Sequence, residues 1–246
     1  MPDTGTTAPA HGTPHDLPHL ADPRALTILT TEHWSLLTSR SLVYNEAFSR
    51  AGMFLTFLSA SLVALGFVYQ GAGKGPDFAL IAAAVLGLDL LVGLATLGRI
   101  LTAGDEEYRA LQGMNRLRHA YLEIAPDLEP YFVASRHDDF AGVMAAYGAP
   151  PHAAGRLRPV LHGLTTTGGM VGLIVAAVGG ALGATVMLAM GLDTRAALVA
   201  GLVAGLVALA VIVRGANAIV MDRARGATAR FPSPGRGAGQ PDRRNT

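Results

Sequence analysis

Four long apolar runs dominate the chain, and none alternates with period two. AGMFLTFLSASLVALGFVYQ fills residues 51–70 without a charge, and FALIAAAVLGLDLLVGLATLG fills 78–98 with a single one, Asp89. LTTTGGMVGLIVAAVGGALGATVMLAM occupies 164–190, and AALVAGLVAGLVALAVIV occupies 196–213. A helix rises 1.5 Å per residue, so about 20 apolar residues cross the roughly 30 Å of bilayer hydrocarbon. Lipid offers no partner to a free N–H or C=O, which restricts spanning segments to helices and closed barrels, and barrel strands alternate. The pattern therefore predicts an all-α integral membrane protein with four transmembrane helices. The connections GAGKGPD and GLDTR are short, which folds the four into two antiparallel hairpins.

The remaining segments are polar. Residues 1–30 are rich in Pro, Thr and Gly and read as a disordered tail without a cleavable signal. Residues 31–50 have helical apolar spacing, with Thr30 or Thr31 available as a cap, and read as a juxtamembrane amphipathic helix. Residues 104–163 form a cytoplasmic helical segment: a helix that Pro126 ends, then a short helix around 138–147. Residues 214–246 read as a basic disordered tail, attractive to anionic lipid.

Composition supports the membrane reading. Half of the 246 residues are hydrophobic and only 15% are charged, where a soluble domain carries about 25%. Cysteine is absent, which removes disulfides, thiolate nucleophiles and Cys-based metal sites. Charge also sets direction. All basic residues except Lys74 and Arg195 lie before the first run, between the second and third, or after the fourth. The positive-inside rule then places both termini and the central segment in the cytoplasm, in the bacterial cell (inner) membrane.

Asp89 stands at the middle of its run. A central Asp costs about 2.5–3.5 kcal/mol on insertion scales, and the eleven Leu, Ile, Val and Phe residues of the run offset roughly 3–7 kcal/mol. The helix inserts, but the carboxyl is expected to face the bundle interior or to be protonated and hydrogen-bonded. Ser59 and Ser61 lie at similar depth in the first run, and Thr56, Thr165, Thr166, Thr167 and Thr185 add further hydroxyls. Two readings stand: interhelical glue, or an ion or proton site in a pore or carrier.

Small residues recur every four positions in the third run, at Gly168, Gly172, Ala176, Gly180 and Ala184, with a second pair at Gly179 and Gly183. The fourth run carries Gly201 and Gly205 in the same spacing. Such ridges let backbones approach closely, either between these two helices or between subunits.

Metal and catalytic chemistry have weak support. His11, His15 and His19 are spaced by four, but Pro14 and Pro18 break any helix there. Asn115, His119 and Glu123 share a helix face, with His137, Asp138 and Asp139 downstream; no metal motif matches, and a solvated His–Glu pair accounts for them. No phosphate loop, catalytic triad or paired-carboxylate site is present. The expectation is no enzyme, no metal, no cofactor and no nucleic-acid partner. The partners would be the lipid bilayer, a second copy of the chain, and a cytoplasmic protein.

The stretch LTAGDEEYRALQGMNRLRHAYLEIAPDLEPYF resembles a segment of uncharacterised multi-pass membrane proteins of actinobacteria and similar bacteria, for which no activity carries over. The order of cytoplasmic helix, two-span hairpin and cytoplasmic helix over residues 33–125 is similar to SLATT membrane modules. That resemblance implies a pore-forming effector, although the second hairpin departs from its pattern. The functional expectation is a self-associating membrane protein that forms a pore or channel; the alternative is a scaffold whose cytoplasmic helices dock a soluble partner.

Overall fold

The computed structural model describes residues 22–73, 75–147, 166–226 and 228–234. Its elements are α1 (Pro23–Ala72), α2 (Pro76–Ile124), a 3-10 turn (Pro126–Tyr131), α3 (Phe140–Ala146), α4 (Thr167–Ala189) and α5 (Thr194–Gly226). Four of them, α1, α2, α4 and α5, are long and apolar enough to cross a membrane. The histidines at 11, 15 and 19, and residues 148–165, lie outside the described residues.

The helices are longer than the apolar runs. α1 has 50 residues and α2 has 49, so each is about 75 Å long. The juxtamembrane helix expected at 31–50 is not a separate element; it is the first half of α1. The helix also starts before residue 30, because Asp22 caps it and Pro23 occupies the first turn. Thr30 and Thr31 sit inside the helix and donate to the carbonyls of Leu26 and Thr27 instead of capping. α5 likewise runs to Gly226, past the expected end at 213, with Arg223 and Arg225 in its last turn where the helix dipole favours cations.

Contacts between α1 and α2 pair in antiparallel order. Tyr69 meets Phe78 edge-on, Ser61 meets Asp89, Glu46 meets Arg99, Arg40 meets Glu107, and Leu29 meets Tyr121. α2 also packs on α4, and α4 on α5. One apolar core joins three helices through Phe54 and Leu58 of α1, Leu86 and Leu97 of α2, and Val171, Val175 and Val178 of α4. Gly93 is its pivot: a Cβ there would stand 2.9 Å from both the Phe54 ring and a Val175 methyl.

The small residues of α4 are consumed within the chain. A Cβ on Gly180 would stand 2.8 Å from the Gly201 carbonyl oxygen, and one on Gly201 would stand 2.6 Å from the Ala184 Cβ. Gly205 lies over the same α4 backbone; Gly183 faces Ala204 and Gly172 faces Ile212. Gly168 faces Ile100 of α2, and Gly179 lies between Leu90 and Ala208. Outward apolar residues stay uncovered, Phe67 being 68% and Leu202 66% exposed. A fold surrounded by water would hide such a surface.

Candidate functional site: a buried acid and a clamped headpiece

The first candidate is Asp89, fully buried on α2. Ser61 on α1 donates its hydroxyl to Asp89 Oδ1 at 3.0 Å, while Oδ2 has no partner among the described residues. Of the two serines expected beside it, Ser59 is turned away. Its hydroxyl donates to the Leu55 carbonyl at 2.8 Å and is exposed. The serines are two positions apart, which is about 200° around a helix, so they cannot share a face. Thr56 and Thr185 likewise satisfy their own helices, at Gly52 O and Ala181 O. Asp89 thus sits in the interior of one chain and binds α1 to α2.

The second candidate is where α1 and α2 extend beyond their apolar windows. A second core of Tyr108, Leu111, Met114 and Val143, with Leu36, Phe140 and Met144 around it, ties α3 to α2 and α1. Ion pairs clamp the same extension. Arg40 donates twice to Glu107 Oε1, at 3.0 and 2.7 Å. Arg99 bridges Glu46 and Glu106, and Arg50 adds to Glu46. The Arg99 and Arg50 guanidiniums hold the Glu46 carboxyl down at about 2, and Glu46 and Glu106 in turn push Arg99 up. Arg223 at the end of α5 reaches Asp105 at 2.7 Å and lies over the Tyr108 ring, which ties the fourth helix to the second.

Asp138 and Asp139 follow the 3-10 turn and precede α3. Asp139 caps α3 by accepting from Gly142 N at 2.9 Å. Asp138, fully buried, accepts from Arg116 Nε at 2.6 Å, from Arg230 N at 3.0 Å and from Phe231 N at 2.8 Å. Burial alone would push its carboxyl up; the Arg230 N–H, the Arg116 guanidinium and the Phe231 N–H outweigh it, and the net direction is down. His119 stacks on the Phe231 ring at 3.8 Å and pairs with Glu123 at 3.3 Å. Burial, helped by Arg136 and His137, lowers its pKa against the pull of Glu123.

The face of Asn115, His119 and Glu123 is mixed: Asn115 is buried, His119 is half-buried and Glu123 is exposed, with the expected His119–Glu123 pair in place. Asn115 is fully buried, donates to the His137 carbonyl at 2.7 Å and accepts from Arg118 at 2.6 Å. The carboxylates of Asp138 and Asp139 are spent on backbone N–H groups, Arg116 and Ser233. What the sequence missed is the role of residues 228–234, read above as disordered tail. The only local signal was an Asp pair before a short helix. Its partners lie about 90 residues away in sequence.

No protein-family model, curated protein or solved structure matches this chain.

Proposed function

We propose that this chain is a non-enzymatic scaffold of the bacterial inner membrane, with two transmembrane hairpins, cytoplasmic termini and a helical headpiece that docks a soluble partner. The observation that carries this reading is the continuity of α1 and α2. Both run on past their apolar windows for about 40 Å and are locked there by a second core and by ion pairs. A rigid rod joined to four anchors suits the presentation of a surface. That surface is an apolar stripe on α1: Leu26, Trp34, Leu37, Tyr44 and Phe48 fall within a quarter-turn of one another and are exposed. The basic residues support the sidedness, since they gather at the headpiece end of the helices.

A photo-crosslinker placed at Trp34 in the full-length protein, expressed in its host, tests the reading. One discrete adduct that disappears with Leu37→Asp is expected; a ladder insensitive to that change would reject it. A reporter fused after Thr246 should be active only in the cytoplasm.

A second reading is favoured by a different observation. The α4–α5 pair presents an open groove of about 360 Å³ whose walls include Ala177, Ala181, Gly201, Leu202 and Gly205. Ala177 and Ala181, the outward small residues there, leave room for another helix, so self-association into a pore is the rival function. Reconstituted protein should then carry ion flux above empty liposomes, and Ala181→Leu should lower it.

A further inference from the structure

Residues 228–234 have no regular structure of their own, and their hydrogen bonds all go to one place. Thr228 O accepts from Arg116 at 3.3 Å. The N–H groups of Arg230 and Phe231 divide between the two oxygens of Asp138, and Asp138 N donates back to Phe231 O at 3.2 Å. Ser233 donates its hydroxyl to Asp139 Oδ1 at 2.9 Å. Phe231 supplies the one ring, stacked on His119. One backbone–backbone bond, two backbone N–H groups on a carboxylate, one aromatic anchor and one hydroxyl are contacts by which an extended peptide is read. Pro232 and Pro234 keep the segment out of a helix and reduce the entropy lost on docking.

The receiving side is built without this segment. Asn115 holds the His137 carbonyl at 2.7 Å, Gln112 holds the Asp138 carbonyl at 3.0 Å, and Asp139 is fixed as the α3 cap. Gly142 packs directly against the His137 carbonyl, leaving no space for a Cβ. Of the three donors to Asp138, two come from the segment and one, Arg116, from α2. The bound segment also leaves capacity unused: Nδ1 of His119 and Nδ1 of His137 are both buried without a hydrogen-bond partner among the described residues.

We propose that the groove between α2 and residues 137–139 is a peptide-binding cleft, closed in cis by residues 228–234, that takes an extended partner segment with an aromatic residue followed by Pro-Ser. Successive backbone N–H groups satisfy Asp138, and a hydroxyl satisfies Asp139. This rests on the scaffold reading and adds to the α1 stripe a second contact, through which a partner's extended segment would be held. The chain's own segment acts as a tethered competitor at roughly millimolar effective concentration.

Fluorescence anisotropy of a labelled peptide with the sequence of residues 228–234, titrated with the full-length protein in nanodiscs, tests this. Phe231→Ala removes the cis anchor. That variant is expected to bind the free peptide at least about tenfold more tightly than the wild-type chain, whose cleft is already filled. A peptide with alanine in place of its phenylalanine should not bind, and this control leaves the protein's folding untouched. Absence of saturable binding to the Phe231→Ala protein, or equal binding of the alanine peptide, overturns the cleft. Equal binding to wild type and variant overturns the closure in cis. Because the readout needs no cellular partner, its failure leaves the Trp34 crosslinking result standing, and the reverse holds too.

Discussion

At the scale of single residues, the buried polar groups serve pairing. Asp89 has one donor among the described residues, Ser61, beside a three-helix core. Interhelical hydrogen bonds in membranes average about 0.6 kcal/mol and reach about 1.7. A double-mutant cycle on Ser61→Ala and Asp89→Ala, read by denaturation in mixed micelles, should return a coupling in that range. Ser59→Ala should show none with Asp89. Glu46 belongs to the same scale. Its carboxyl is held at about 2, below the ordinary 4.5, so its pairing stabilises the fold above pH 4.5 and the contribution is lost as pH falls toward 2. Glu46→Gln should flatten the thermal-stability profile across that window, and added salt should do the same because the pair is half-exposed.

At the scale of elements, glycine position decides how closely helices approach. Gly93→Ala pushes a methyl between Phe54 and Val175, and Gly180→Ala drives one into the Gly201 carbonyl. Each should cost about 1–3 kcal/mol, since neither neighbour has free space to retreat into. Gly66 is also inside a helix, but a Cβ there meets nothing within 4 Å. Gly66→Ala should therefore be neutral or stabilising by up to about 1 kcal/mol. Unfolding of the three variants under identical conditions checks the contrast. The ridge spacing on α4 was readable from the chain, because residues four apart share a face. Its partner was not, since spacing is the same whether the facing helix belongs to this chain or another.

At the scale of the whole molecule, the headpiece depends on neutral imidazoles. His119 is stacked on Phe231 and His33 on Tyr121, and burial lowers both pKa values from 6.5. The unfolded chain then binds the proton more readily than the fold, so stability present at higher pH is lost as pH drops below 6.5. Near-UV circular dichroism should show the aromatic signal weakening in that range, and His119→Phe should remove part of the dependence while keeping the stack.

Hydrophobic run length carried a great deal by itself. Four helices, their order and the stop at Pro126 are local properties, since each depends on what a segment can bury or hydrogen-bond alone. The true ends of α1 and α5 were obscured because polar but helix-compatible residues look the same as tail or linker. Only the tertiary structure decided that Ser61 and not Ser59 meets Asp89, that Arg40 finds Glu107, and that Phe231 closes over His119 and Asp138. Those pairings join residues 28, 67 and more than 90 positions apart. They are set by how rigid helices pack on one another, which no segment encodes within itself.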